Sequence, residues 1–256
     1  MKKIFGLLFC LLIAAASFAQ VKIHSHNDYT HTKPLLQAYA YQAYQIEVDV
    51  FLIGDSLIVA HSKKDNNLSR TINTMYLDPI ANLINDEAKR GIKSKYDFRL
   101  MIDLKDSWDV VYPVLRKEIE KYGDLFDRGK NKNAVQIVIS GNRPADSLFH
   151  TFPTWVYFDG LPNISYAKAD LKRVTMISDN FATYSKWKGD GNITAEDKAK
   201  LKKVIDKAHQ MNKSMRFWGA PDNQNSWKQL INLGVDIINT DKIVECRRYF
   251  KNKNEL

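Results

Sequence analysis

The chain has 256 residues, of which 45% are hydrophobic and 26% charged, a composition typical of a globular protein and not of a disordered or fibrous one. Its length suits one (β/α)8 barrel of about 250 residues as well as two smaller domains. The formal net charge is +9, and the surplus lies in basic runs, Lys198–Lys207 and Arg247–Lys253, that are typical of solvated helix faces. We therefore expect no nucleic-acid partner, and peripheral contact with an anionic membrane is the alternative use of this charge.

Residues 1–19 have the pattern of a secretory signal peptide. Two lysines precede an apolar run, Ile4–Ala16, and a small-residue cleavage site follows at Ser17–Ala19. The apolar run is shorter than the about 20 residues that a membrane span needs. We expect an exported protein, periplasmic or secreted, whose mature chain spans residues 20–256.

After this segment, short β-branched or apolar runs alternate with longer amphipathic stretches, the pattern of repeated βα units around a parallel sheet. The predicted strands are Val21–Ser25, Gln45–Phe51, Arg99–Leu104, Ala134–Ser140, Trp155–Phe158, Arg173–Ser178, Ser214–Trp218 and Val235–Asn239. The helices predicted between and after them are Pro34–Tyr44, Asp78–Arg90, Trp108–Tyr122, Arg143–His150, Tyr166–Leu171, Ala195–Asn212, Asn225–Leu233 and Lys242–Phe250. The run Leu57–Ala60 predicts an additional strand or hairpin arm.

Eight such repeats without an internal linker or a low-complexity stretch favour one closed TIM-type (β/α)8 barrel over a doubly wound sheet. This single α/β domain is predicted to span residues 20–256. In such barrels the active site lies at the C-terminal ends of the strands, so polar residues there carry more functional weight than polar residues elsewhere.

Four predicted strands end in a pair of polar or aromatic side chains two residues apart. Side chains at this spacing point to the same face of a strand. Because the neighbouring residues are mostly apolar, each pair is predicted to project into one mouth while its strand packs the other way. The pairs are His24 and His26, Glu47 and Asp49, Asp103 and Lys105, and Arg216 and Trp218.

Glu47, Asp49 and Asp103 offer oxygen ligands with no cysteine nearby, which suits a hard divalent cation, Ca²⁺ or Mg²⁺, better than zinc. So many charges at one mouth are unfavourable unless a cation and a ligand neutralise them. The alternative is that these carboxylates have surface or ion-pair roles.

Two histidines, His26 and His61, lie at strand ends on opposite sides of the carboxylate strand. Histidine titrates near neutral pH, which suits a general base and a general acid acting on a phosphodiester. A structural role is the alternative for each of them. It is the preferred prediction for His31 in the first loop and for His150 and His209 in predicted helices.

The early part of the chain has a distinctive order of segments: His24–Tyr29, Pro34–Leu35, Glu47–Asp49 and His61. It resembles the superfamily of glycerophosphodiester phosphodiesterases and phosphatidylinositol-specific phospholipases C, whose pattern is a histidine, Glu-x-Asp and a second histidine. Later segments are similar to the branch of proteins like "altered inheritance of mitochondria protein 6", and these are Ile139–Arg143, Tyr157–Gly160, Arg216–Pro221 and Asn239–Asp241. The similarity covers nearly the whole mature chain.

This resemblance implies a (β/α)8 barrel in which the three carboxylates hold one divalent ion and His26 and His61 form the acid–base pair. It also implies that Lys105 contacts the phosphate and that Trp218 lines the pocket. His24 is then either a residue that supports the site from behind or a pocket residue beside His26.

One departure from the family concerns the usual His-Arg-Gly, which reads His-Asn-Asp here and places Asn27 where the arginine would contact phosphate. Arg143 or Arg216 is expected to supply that contact, because a planar guanidinium suits phosphate oxygens. The family's glycerol-binding insertion also has no room between Glu47 and Asp103. We therefore expect either a glycerophosphodiester-like or a phospholipid-like substrate.

The leading prediction is an exported, metal-dependent phosphoric diester hydrolase or lyase that acts on a small-molecule or lipid phosphodiester. Attack by a substrate hydroxyl would give a cyclic phosphate, and attack by water a simple hydrolysis product. Two alternatives stay open: a catalytically silent barrel that binds a phosphorylated lipid or sugar, and a metal hydrolase of amidohydrolase type with His24 and His26 as ligands. None of these implies an obligate protein partner.

Overall fold

The computed structural model describes residues 21–65, 67–91 and 96–252, and within these ranges the chain forms nine strands. They are β1 (Lys22–Ser25), β2 (Gln45–Ile53), β3 (Ser56–Val59), β4 (Arg99–Leu104), β5 (Gln136–Gly141), β6 (Val156–Gly160), β7 (Val174–Asn180), β8 (Ser214–Trp218) and β9 (Ile237–Thr240). All except β3 are parallel and close into a barrel, with β1 paired to both β2 and β9. β3 pairs antiparallel with the C-terminal part of β2, which confirms the predicted hairpin arm.

The α-helices of the described residues follow the strands and complete the repeated βα units. They are α1 (Leu36–Ala40), α2 (Asp78–Lys89), α3 (Trp108–Glu120), α4 (Lys168–Leu171), α5 (Ala195–Gln210), α6 (Gln224–Leu233) and α7 (Ile243–Asn252). The predicted TIM-type (β/α)8 barrel is therefore confirmed.

Two predicted helices differ from the structure. The predicted helix Arg143–His150 is a 3-10 segment, Asp146–Thr151, and it begins only at Asp146 because Ala145 has an extended ψ of 134°. The predicted helix Pro34–Tyr44 is reduced to α1, since Leu35 and Gln42 on either side have φ of 60° and 51°. A right-handed helix does not pass through residues with positive φ.

An apolar layer fills one level of the barrel interior. Met101, Val138, Met176 and Ile237 come from four different strands and pack together there. Their neighbours on the same strands face the helices, where they join the larger core between barrel and helices. Because the interior of the barrel is filled at this level, a ligand can enter only from the ends of the barrel.

The predicted signal peptide lies outside the described residues. Among the described residues, no helix has both the length and the apolar composition that crossing a membrane requires.

Candidate active site

A polar layer lies directly above the apolar layer, toward the C-terminal ends of the strands. Its centre is the guanidinium of Arg216 on β8, which is only 3% exposed. Nη1 donates to Glu47 Oε2 at 3.0 Å, Nη2 to Asp159 Oδ2 at 3.0 Å, and Nε to Ser178 Oγ at 2.9 Å. Each of its nitrogens is therefore already engaged beneath the mouth, and substrate binding by Arg216 stays a prediction.

His24 on β1 lies beside Arg216 and is fully buried. Its Nε2 is hydrogen-bonded to Glu47, and Gln45 Nε2 lies 3.0 Å from its Nδ1. Burial, reinforced by the charge of Arg216, lowers the pKa of His24 to about 4. Burial opposes ionisation of Glu47, but the hydrogen bond from His24 and the charge of Arg216 hold the pKa of that carboxyl well below its usual range. His24 therefore contacts Glu47 beneath the mouth, which is the supporting role that the sequence left open beside substrate binding.

Three carboxylates from β2 and β4 converge at the top of this layer. Glu47, Asp49 and Asp103 each offer an oxygen, and these oxygens lie within 4.8 Å of one another. Asp49 Oδ1 and Asp103 Oδ1 are buried, and neither has a hydrogen-bond partner in the part of the chain that the structure describes. A buried oxygen without a partner is unfavourable, so this donor set fits a small hard cation bound between the carboxylates.

The formal charges inside the barrel also fit a divalent cation. The three carboxylates and Asp159 carry four negative charges, while Arg216 and Lys105 carry two positive ones, so two negative charges remain. Burial raises the pKa of Asp49 and of Asp103. This is the direction expected for carboxyl groups that are buried together in the absence of a cation.

Lys105 follows β4 directly and extends over the carboxylates. Its ammonium lies 3.1 Å from Asp49 Oδ2 and 2.9 Å from Asp103 Oδ2. Burial opposes its charge, but Asp103 and Asp49 raise the pKa of Lys105, so the ammonium stays protonated. Because the side chain is partly exposed at the mouth, it can also reach an oxygen of a bound phosphate.

Gly141, at the end of β5, gives Asp103 the space it occupies. The residue has φ of +70°, and a Cβ at this position would lie 2.0 Å from Asp103 Oδ1 and 2.4 Å from Leu104 O. A side chain here would strain the backbone and displace the carboxylate. Glycine is therefore required next to this side of the acidic cluster.

His26 lies at the mouth, just beyond β1, with its side chain 28% exposed. Nδ1 is 2.7 Å from Asp241 Oδ1, which orients the ring and leaves Nε2 available. Burial opposes protonation, but the hydrogen bond to Asp241 and the charge of Glu47 raise the pKa of His26 above its usual value. A histidine with this partner is well suited to give up and regain a proton.

His61 lies just beyond β3 on the other side of the carboxylates, and its side chain is 72% exposed. Its Nδ1 is 3.2 Å from the hydroxyl of Tyr29 and 4.0 Å from Asp49 Oδ2. Tyr29 donates to Asp49 Oδ2 at 2.9 Å. Burial and the charge of Asp49 raise the pKa of Tyr29 well above its usual range, so the phenol keeps its proton. Tyr29 thus links this histidine to the acidic cluster.

The remaining predicted site residues lie around the same mouth. Asn27, in a left-handed conformation, has its Oδ1 3.1 Å from the hydroxyl of Tyr29. Trp218 ends β8 and is 42% exposed. Arg143 follows β5. Burial raises the pKa of Asp159, and the positive charge of Arg143 opposes this rise.

Comparison with known families agrees with this geometry. A family model described as the AIM6-like phosphodiesterase domain matches residues 14–159, more than half of the chain. The chain belongs to this family. A second model, of the glycerophosphoryl diester phosphodiesterase family, matches residues 214–243, which include β8 and β9. The resemblance found in the sequence is therefore confirmed.

Individual relatives of this phosphodiesterase-like chain are distant. "Altered inheritance of mitochondria protein 6" of Eremothecium gossypii is 24% identical, and the alignment covers 87% of this chain and 67% of the relative. A homolog from Arthroderma benhamiae is 23% identical, with coverages of 90% and 84%.

Solved structures share the fold of this family member. A glycerophosphodiester phosphodiesterase from Parabacteroides distasonis has a TM-score of 0.55 at 17% identity, covering 92% of this chain and 100% of that one. A Ca²⁺-dependent phosphatidylinositol-specific phospholipase C from Streptomyces antibioticus has a TM-score of 0.56 at 12% identity, covering 91% and 95%. The fold is thus one used by phosphoric diester hydrolases.

Three functional candidates were not predicted as such from the sequence: Tyr29, Asp159 and Asp241. Each lies within a segment that carries the family resemblance, and that was the available signal. Their roles depend on contacts with residues far away in the chain, because Asp241 meets His26 and Asp159 meets Arg216.

Proposed function

We propose that the protein is a metal-dependent phosphoric diester hydrolase or lyase whose active site is the mouth at β1 to β4. The observation that carries this proposal is the acidic cluster: two of its buried oxygens have no hydrogen-bond partner among the described residues, and two of the negative charges counted there are not balanced by Arg216 and Lys105. The two histidines and Lys105 stand around this cluster, as general acid–base catalysis on a phosphodiester requires.

Glu47, Asp49 and Asp103 would hold one divalent cation, Ca²⁺ or Mg²⁺. When bound, such an ion supplies positive charge that stabilises the developing charge of the phosphoryl group. Lys105 and Arg143 bind the other phosphate oxygens in this proposal.

His26 and His61 transfer protons on opposite sides of the phosphate. One takes a proton from the attacking hydroxyl or water, and the other gives a proton to the departing alcohol. Asn27 and Trp218 line the space for the alcohol groups of a glycerophosphodiester- or phospholipid-like substrate. The fold family supports this substrate class by analogy only.

The alternative with histidine metal ligands has less support. Among the described residues, the metal-ligand group consists of carboxylates alone. His24 contacts Glu47 below the mouth, and His26 contacts Asp241 at its rim. The two rings therefore do not face a common position at which both could coordinate one metal ion.

The test is turnover of a generic 4-nitrophenyl phosphodiester by the purified mature chain. We expect activity with Ca²⁺ or Mg²⁺ that chelator removes and added ion restores. Unchanged turnover after exhaustive chelation would contradict the metal-dependent mechanism. Binding of a phosphodiester without turnover under any ion would instead support the silent barrel.

We also propose that the protein is exported, on the evidence of the signal-peptide pattern in residues 1–19. Mass spectrometry of the protein from its natural host should find Gln20 at the N-terminus. An intact Met1 on the accumulated protein would contradict export. Contact with an anionic membrane remains a prediction, and vesicle co-sedimentation of the mature chain would test it.

A further inference from the structure

The opposite, N-terminal mouth of the barrel carries two cations on one aromatic ring. Arg99, the first residue of β4, places its guanidinium carbon 4.0 Å from the ring centroid of Tyr44, which precedes β2. Lys22, the first residue of β1, places its ammonium 5.0 Å from the same centroid and donates to Ser214 Oγ at 3.1 Å. Lys22, Tyr44, Arg99 and Ser214 form the basal cluster.

Neither cation of the basal cluster has an ion-pair partner among the described residues. The nearby carboxylate of Asp97 is paired with Arg128. The other nearby carboxylate, that of Asp236, accepts from the backbone N–H of Met215 at 2.7 Å and lies 2.8 Å from a histidine nitrogen. The carboxylates at this end of the barrel therefore already have other partners.

The guanidinium of Arg99 is also incompletely hydrogen-bonded. Its Nε and Nη1 are buried and have no hydrogen-bond partner within residues 21–65, 67–91 and 96–252. Burial, reinforced by the neighbouring positive charge of Arg99, lowers the pKa of Lys22 despite Asp236, and burial likewise lowers the pKa of Arg99. A buried donor without an acceptor is unfavourable, and so are two cations at one ring that have no ion pair of their own.

We propose that the basal cluster binds a phosphate group, as inorganic phosphate or as a phosphomonoester. A tetrahedral oxyanion offers several acceptor oxygens, so it can serve the guanidinium, the ammonium and the Ser214 hydroxyl together, and its charge offsets both cations. Lys22, Arg99 and Ser214 are each partly exposed, so an anion can approach the cluster from solvent, and the buried Nε and Nη1 of Arg99 would be reached by a shift of that side chain. This site is independent of the proposed catalytic mouth and lies at the other end of the barrel.

The experiment is titration calorimetry of the mature chain with inorganic phosphate and, separately, with methyl phosphate. Chelator is present throughout, so that no ion assists phosphate binding at the catalytic mouth. We expect millimolar or tighter binding of one phosphate, and a weakening of about tenfold or more in both Arg99→Met and Lys22→Met, since each removes a charged contact. Lys203→Met, the same change at an exposed position on α5, should alter the affinity less than about twofold.

Amide chemical shifts locate the bound anion. Phosphate should shift the amides of Lys22, Tyr44 and Arg99 and leave those of His26 and Lys105 unchanged, and a preference between the two ligands identifies the source of the phosphate group. No binding by the wild-type chain at about 10 mM phosphate would overturn the proposal. Binding that survives in both variants, with shifts at the catalytic mouth only, would overturn it as well.

Discussion

Replacement of His26 or His61 by alanine is expected to lower turnover of a phosphodiester by about two to four orders of magnitude, as loss of a positioned proton donor or acceptor usually does. Both rings have one nitrogen fixed by a neighbour and stand at the rim of the acidic cluster. His26 is fixed by Asp241 at 2.7 Å, and His61 lies 3.2 Å from the hydroxyl of Tyr29. Steady-state kinetics on a 4-nitrophenyl phosphodiester at saturating ion measures this effect.

Metal affinity should survive in both variants, because neither histidine belongs to the cluster of carboxylates. His209→Ala is the matched control: its ring lies 2.8 Å from Asp236, away from the mouth, and turnover should change less than about twofold. Mild and equal losses in all three variants would exclude histidine acid–base catalysis. Loss of the ion in His26→Ala would instead favour a histidine-ligated metal.

The strands, and the face to which each of their side chains points, could be predicted from the sequence because strand geometry is local. Side chains two residues apart share a face, and this rule places Glu47 with Asp49 and Asp103 with Lys105 on the inner side of the barrel. The predicted limits of Arg99–Leu104 and Ser214–Trp218 agree with β4 and β8.

The depth of a residue within the barrel could not be predicted in this way, because it depends on the register between strands. Asp49 is level with Asp103, whereas Glu47 is level with Met101 of the apolar layer. Consequently Glu47 lies deeper and needs buried partners, and Arg216 and His24 supply them. Sequence reasoning placed those two residues at the mouth without stating these contacts, because it had no measure of this depth.

The metal-ligand variants Glu47→Gln and Asp49→Asn are expected to lose ion binding and to reduce turnover to the chelated background, since each removes a charged oxygen from the cluster. Calorimetry with Ca²⁺ and Mg²⁺ measures the ion binding, and kinetics measures turnover. The variants lie on the same strand and replace a carboxylate by its amide. Their effects on stability should nevertheless differ in sign.

The free energy of unfolding, measured in chelator, is expected to change differently when each of the two carboxylates is replaced. The pKa of Glu47 is lowered in the folded protein, so its charge stabilises the fold above the unfolded pKa, and Glu47→Gln should cost about 3 kcal/mol at neutral pH. The pKa of Asp49 is raised, so its ionisation destabilises the fold as pH rises through the folded pKa. Asp49→Asn should therefore leave the chelated protein at least as stable as wild type.

Denaturant unfolding of the chelated proteins, repeated with added Ca²⁺, measures both effects. The wild-type chain should gain stability from the ion, because a ligand that binds only the folded state shifts the unfolding equilibrium, and Asp49→Asn should gain none. If Asp49→Asn instead loses as much stability in chelator as Glu47→Gln, then Asp49 serves mainly as an acceptor for Tyr29 and Lys105. In that case the two uncompensated charges would not mark a cation site, and the metal-dependent mechanism would lose its main support.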